Sequence, residues 1–89
     1  MQTSTYLQFT RTIKAVGRFR EFNFLRRSKN NTITYDTDVA DERGNRYIFE
    51  MKKIDEQWTI IGKDLPSWIT ESQSSLHDVI EGQQINGDN

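Results

Sequence analysis

The sequence contains no cysteine, one proline and one histidine among its 89 residues. Without cysteine there are neither disulfide bonds nor thiolate metal sites. No apolar run approaches the roughly 18–20 residues that a membrane-spanning helix needs, so we expect no membrane partner. Residues 1–5 lack the apolar core of a secretory signal. We therefore expect a cytoplasmic protein.

Motifs that carry catalysis are also missing. Gly17 and Gly44 are isolated, no Gly-x-Gly occurs, and neither a nucleophile elbow nor a zinc-protease motif is present. His77 has Asp78 beside it, but adjacent residues on a helix do not face each other. We therefore place His77 at the boundary of the surface and predict a protein that is not an enzyme and uses no cofactor.

A cluster of acidic residues, Asp36, Asp38, Asp41 and Glu42, raises the question of a metal site. The calcium-loop motif requires an acid or asparagine at its fifth position and glycine at its sixth. Counted from Asp36, these positions hold Ala40 and Asp41. The motif fails, and we interpret the cluster as a solvated strand face with no metal.

Alternation of apolar and polar residues predicts strands over residues 6–16, 19–26, 32–40, 46–53 and 58–61. Turn-forming residues separate these strands at 28–31, 41–45 and 55–57. In the second turn, Gly44 is expected in the left-handed conformation that closes a hairpin after a type I turn.

After residue 64 the apolar spacing changes to three, four and seven, which predicts a C-terminal helix. Asp64 is the expected cap, Pro66 falls in the first turn, and Gly82 is the expected end. An alternative start at Thr70 has capping-box spacing and would make residues 65–69 a separate short turn. We expect Trp58 and Trp68 at the seam between the helix and the last strand.

The predicted fold is therefore α+β, an antiparallel β-meander of about five strands followed by one C-terminal helix. Residues 1–82 would form a single domain and residues 83–89 a flexible polar tail. Five strands about 4.8 Å apart span roughly 20 Å, whereas a helix covers about 10 Å. Either the sheet curls strongly around the helix, or part of its face is left for a ligand or for a second copy in a homodimer.

The net charge of −1 conceals an asymmetry along the chain. Residues 1–30 carry seven basic side chains and one acid, a net charge of +6, whereas residues 31–89 carry five basic and twelve acidic side chains, a net charge of −7. The seven basic residues are Arg11, Lys14, Arg18, Arg20, Arg26, Arg27 and Lys29. Several share strand parity with aromatic residues, as Arg20 and Arg26 do with Phe22 and Phe24.

Cations and rings interleaved on a sheet are typical of proteins that bind single-stranded nucleic acid, because the cations contact phosphates and the rings stack on bases. A second interpretation places the rings in the core and the arginine head groups in water. A third gives the basic hairpin an acidic protein as its partner. Our hypothesis is a small binding module for single-stranded nucleic acid that uses these seven residues. The alternative is a structural or assembly protein acting by homodimerisation or protein–protein contacts.

The order of four strands followed by a helix resembles single-strand-binding folds of the Whirly, PUR and transcriptional-coactivator kind. The resemblance is one of topology, and the fifth strand departs from it. Such folds commonly dimerise through their helices, so the resemblance implies a homodimer. A likeness at the level of the fold assigns no site residue.

Overall fold

The computed structural model describes the backbone of residues 7–87 and the side chains of residues 7–83. These residues form strands β1 (Leu7–Ala15), β2 (Arg18–Lys29), β3 (Thr32–Ala40), β4 (Arg46–Ile54) and β5 (Gln57–Ile61), then helices α1 (Ser67–Thr70) and α2 (Gln73–Gly87). The strands make one antiparallel sheet in the order β1-β2-β3-β4-β5. The predicted α+β class and meander are confirmed. The first residue of the predicted β1 and the last two of the predicted tail lie outside the described residues.

Three of the strand connections are two-residue turns with left-handed backbone. The central residues are Val16 and Gly17, Asn30 and Asn31, and Asp55 and Glu56, all with φ between 50° and 80°. Positive φ at both positions defines the type I′ turn, whose twist matches that of the flanking strands. The predicted turns at 28–31 and 55–57 are too long, because two residues suffice to reverse the chain.

The longer β3–β4 turn is organised by Asp41. Gly44 has a φ of 87° as predicted, and its N–H donates to the Asp41 carbonyl over 3.0 Å. The Asp41 carboxylate accepts the backbone N–H groups of Arg43 and Asn45, both over 2.9 Å, and the Asn45 side-chain amide over 3.0 Å. These hydrogen bonds, foremost that of the Asn45 side chain, lower the pKa of Asp41.

The helical segment departs from the main prediction at both ends. It is divided into α1 and α2, so residues 65–69 are separate from the main helix as in the alternative, but α2 begins at Gln73 and Thr70 belongs to α1. Asp64 does not cap the helix: its φ is 57°, and Pro66 occupies the N-cap position of α1. Gly82 does not end the helix either, since α2 continues to Gly87. A glycine inside a helix costs about 1 kcal/mol, which the packing of the remaining residues of a helix can offset.

The core draws on one face of every strand, which we call the inner face, and on the facing side of the helices. Its buried apolar residues are Ile13, Ala15, Phe22, Phe24, Tyr35, Val39, Phe49, Met51, Trp58, Ile69, Leu76 and Ile80. Helix α2 contacts both edge strands, β5 and β1, although these are not paired with each other. The sheet therefore curls around the helix. This curvature lets one helix cover five strands, although a flat sheet of that size would be wider than the helix.

Helix α2 closes the outer edge of β5 with side chains. The backbone N–H of Trp58 donates to His77 Nδ1 over 3.0 Å, and that of Ile60 donates to Gln73 Oε1 over 2.9 Å. The indole Nε1 of Trp58 donates to Glu81 Oε2 over 2.8 Å. Gln73, His77 and Glu81 are spaced four residues apart and therefore share one face of the helix. Trp58 therefore lies at the seam between the helix and the last strand, as predicted.

The surroundings at this seam shift the pKa values of two titratable groups. Burial raises the pKa of Tyr35, whose ring packs edge to face on Trp58 with centroids 5.2 Å apart. A hydrogen bond from Lys53 lowers the pKa of Glu81, and the Lys53 Nζ atom lies 3.1 Å from Glu81 Oε2. The carboxylate that anchors α2 to the sheet is thus held in its charged form.

Truncation of Phe24 tests the assignment of the inner face. Phe24 is fully buried, and its ring stacks on that of Phe9 with centroids 4.8 Å apart. We expect Phe24→Ala to lower the free energy of unfolding by about 3–5 kcal/mol, measured by chemical denaturation. Phe19, on the same strand but 73% exposed, is the matched control. Phe19→Ala should change stability by no more than about 0.5 kcal/mol, and equal losses in the two variants would contradict the assignment.

The Asp41 turn makes a prediction about pH. The folded-state pKa of Asp41 is lowered, so its stabilising contribution is present above the unfolded value of about 3.9 and is lost as the pH falls through the folded pKa. A carbon-detected NMR titration should show Asp41 ionising below the ordinary aspartate range. Asn45→Ala should move the midpoint upward. A midpoint in the ordinary range in the unsubstituted protein would refute this description of the turn.

Candidate anion-binding surface

The second face of the sheet, which we call the outer face, is covered by none of the described elements. Alternate residues of each strand point to it, because successive side chains in a strand face opposite ways. None of the side chains on this face is buried between residues 8 and 61. A partner that binds the sheet without opening the core must therefore use this face or one of the edges.

The seven basic residues predicted from the sequence do not form one patch. Strand parity places Arg11, Arg18, Arg20 and Arg26 on the inner face, and Lys14, Arg27 and Lys29 on the outer face. The rings that accompany them in sequence, Phe22 and Phe24, are completely buried. Stacking of bases on these two rings would require the core to open. Burial thus favours the interpretation in which the rings belong to the core.

Arg20 is held between a ring and a carboxylate. Its guanidinium lies 3.8 Å from the centroid of the Trp68 ring, and its Nη1 lies 3.2 Å from Glu42 Oε1. The Arg20 side chain is only 10% exposed. Trp68 also packs edge to face on Tyr47, so the prediction that Trp68 lies at the seam with the last strand is wrong. Arg20 joins α1 to the sheet and is not free to contact a ligand.

Glu42 pairs with a second arginine at the same end of the sheet. Its Oε2 lies 3.9 Å from Nη1 of Arg18, whose side chain is 60% exposed. Hydrogen bonds from its own backbone N–H and from Arg20 lower the pKa of Glu42. The opposing charges of Arg18, Arg20 and Glu42 make this end of the sheet less positive than the sequence alone suggests.

The opposite end of the outer face has a different charge arrangement. Arg27, Thr34 and Lys52 are successive cross-strand partners on β2, β3 and β4, and Lys29 follows Arg27 two residues along β2. We call Arg27, Lys29 and Lys52 the basic row. A groove of about 690 Å³ lies along it, lined by Arg26, Arg27, Ser28, Lys29, Thr34, Asp36 and Glu50. A neighbouring groove of about 260 Å³ shares Lys29, Thr34 and Glu50 and adds Thr32 and Lys52.

Two carboxylates border the basic row. Asp36 and Glu50 are direct cross-strand partners, an arrangement of like charges that is unfavourable without nearby cations. Arg27 Nε lies 3.2 Å from Asp36 Oδ2, in an exposed pair that retains the other guanidinium donors. Among residues 7–83, no carboxylate forms an ion pair with Lys29 or Lys52. These two ammonium groups are available to an anion.

Sequence reasoning did not identify Lys52. It lies 23 residues after Lys29, in the half of the chain with a net negative charge. Only the pairing of β4 with β3 places it on the same face as Arg27. Strand parity was a usable signal, because Lys52 has the outward parity of Ile48 and Glu50 on β4.

The acidic cluster considered for a metal is dispersed. Asp36 pairs with Arg27, Asp38 with Arg46, and Glu42 with Arg20, while Asp41 organises its own turn. Across the described part of the chain, no group of three or more potential ligands converges.

Comparisons with family models, with curated proteins and with solved structures found no match to this chain. Among the described residues, no helix is both long enough and apolar enough to cross a membrane. The assignment of the candidate surface therefore rests on the geometry and charge of its residues.

Charge reversal distinguishes the two arginines that contact Glu42. Arg20→Glu removes a cation from the Trp68 ring and places two carboxylates together in a largely buried position. We expect it to lower the free energy of unfolding by about 2 kcal/mol, measured by chemical denaturation. Arg18→Glu, at an exposed position, should lower it by no more than about 0.5 kcal/mol. Equal effects would show that Arg20 does not fasten α1 to the sheet.

Proposed function

We propose that this protein is a non-enzymatic binding module that holds the phosphate backbone of single-stranded nucleic acid on the outer face of its sheet. The observation that carries the proposal is the basic row beside a groove of about 690 Å³ on an uncovered face. Of the seven residues predicted from the sequence, Arg27 and Lys29 become direct contacts. Lys52 joins them, and Arg26 lines the groove.

The chemistry of the row suits phosphate groups. Arginine offers a planar set of N–H donors, and lysine offers a compact charge. The hydroxyl of Thr34 lies between Arg27 and Lys52 in the strand register and adds a neutral donor. Exposed charges of this kind attract a polyanion over a distance, and Arg11, Lys14 and Arg18 would add to that attraction.

The same geometry argues against recognition of a particular base sequence. The described residues that line the two grooves include no aromatic side chain, so they offer no stacking platform for bases. Contacts to phosphate and sugar carry no direct sequence information. We therefore expect similar affinities for different homopolymers of the same length.

A titration of a labelled single-stranded oligonucleotide tests the proposal. The double variant Lys29→Glu/Lys52→Glu should bind at least about ten-fold more weakly at 50 mM salt. It should also reduce the slope of log K against log salt by about 1.4, since each phosphate contact on a single strand contributes about 0.7. The matched control is Arg43→Glu/Lys63→Glu, which makes the same change in net charge at exposed positions outside the basic row.

Two outcomes would contradict the proposal. One is the absence of micromolar binding by the unsubstituted protein at about 50 mM salt. The other is an equal loss of affinity in the two double variants, which would show that only net charge matters.

One observation favours the alternative of a structural protein that homodimerises. Phe19 and Ile48 lie on the outer face and are 73% and 71% exposed. Large apolar side chains on an uncovered sheet are suited to packing against another protein surface. A stable dimer in light scattering, together with no affinity for nucleic acid, would support this alternative.

A further inference from the structure

The two edges of the sheet differ in whether their outward backbone groups have hydrogen-bond partners among the described residues. At the β5 edge, His77 and Gln73 of α2 accept the outward N–H groups of Trp58 and Ile60. Covering an edge in this way prevents another chain from pairing with it. Within the described residues, no side chain covers the second half of the β1 edge in the same way.

The outward groups of β1 follow from its turn. Val16 and Gly17 form a two-residue type I′ turn, so the pair Ala15 and Arg18 that flanks it is hydrogen-bonded. Bonded and non-bonded pairs alternate along an antiparallel ladder. The odd-numbered residues of β1 therefore bond to β2, and the backbone groups of Thr10, Thr12 and Lys14 point away from the sheet.

Most of these outward groups have no partner within the described residues. Arg11 Nη1 donates to the Thr10 carbonyl over 3.0 Å, whereas no hydrogen bond reaches the backbone groups of Thr12 or Lys14 from another element. β1 lacks two common defences of an edge strand, proline and a bulge, although it carries the charges of Arg11 and Lys14. It contains no proline, and its pairing with β2 runs without a bulge from Leu7 to Ala15.

We propose that the outer edge of β1 is a strand-addition site for an extended acidic peptide segment of a partner protein. Strand addition would satisfy the free N–H and C=O groups of Thr12 and Lys14. The charge of the edge selects the partner: β1 carries Arg11 and Lys14 and no acidic residue. Glutamate or aspartate on the added strand would face Arg11 if it lies on the inner face and Lys14 if it lies on the outer face.

The charge also argues against a second copy of β1 as the occupant. In antiparallel pairing of two copies, a register centred on Arg11 or on Lys14 would place that cation opposite its own copy, and neither strand has a carboxylate to offset it. Like charges across a strand pair are unfavourable. This edge site is separate from the basic row, so failure of one proposal leaves the other standing.

Fluorescence anisotropy with designed peptides tests the proposal on the full chain. The probe is a labelled nine-residue peptide of alternating Glu and Val. The control peptide has the same charge, with each Val replaced by Pro, so that it cannot form a regular strand. We expect at least ten-fold tighter binding of the Glu/Val peptide. Equal binding of the two peptides would overturn strand addition and leave only charge attraction.

Two protein variants locate the contact. Thr12→Pro removes one outward N–H at a position where an edge strand tolerates proline, and it should weaken binding of the Glu/Val peptide at least ten-fold. Lys14→Glu should weaken it as well and should improve binding of a Lys/Val peptide, whereas Lys63→Glu should do neither. Unchanged binding by both Thr12→Pro and Lys14→Glu would overturn the proposal.

Hydrogen exchange supplies a readout that does not depend on a variant folding. Adding the Glu/Val peptide should slow exchange of the Thr12 and Lys14 amides in the unsubstituted protein. Protection confined to amides outside β1 would place the peptide elsewhere and refute the edge site. A dimer that Thr12→Pro converts to a monomer would assign the edge to a second copy, which would also overturn the proposal.

Discussion

The packing of Trp58 against helix α2 is the interaction on which the rest of the structure depends. The Trp58 ring fills the inner face beside Tyr35, its indole nitrogen binds Glu81, and its backbone N–H binds His77. One residue thus joins the core, the helix and the edge of the sheet. Because α2 is anchored at β5 and also contacts β1, the sheet must curve around it. That curvature lets one helix cover five strands.

Because the helices cover the inner face of the sheet, the residues buried on it are not accessible to a partner. The aromatic residues that appear in the sequence as a platform for bases are used to bury α2, and Arg20 is used to hold α1. What remains for a partner is the outer face and the uncovered part of the β1 edge. The basic row and the β1 edge both combine positive charge with exposure and lie outside the core.

Much of the fold was predictable because its signals are local. Alternation in β3 and β4 reflects side chains that face core and solvent in turn, so the pattern marks each strand. Gly44 and the pair Asn30 and Asn31 mark turns because their backbones adopt left-handed conformations easily. The helix boundaries were harder to predict. Asp64 and Gly82 have the residue types of a cap and an end, yet Asp64 has a left-handed backbone ahead of α1, and α2 continues past Gly82 to Gly87.

Local pattern was thus enough for the strands, the turns, the order of the elements and the positive charge of the first thirty residues. The tertiary structure alone decided which charges are free and which residues become neighbours. Arg20 and Arg27 look alike in the sequence, yet one is enclosed by Trp68 and Glu42 and the other borders a groove. Lys52 joins the same face, and the neighbouring groove, only through two strand pairings. The physical reason is that burial and register depend on contacts between residues distant in the chain, which no local pattern records.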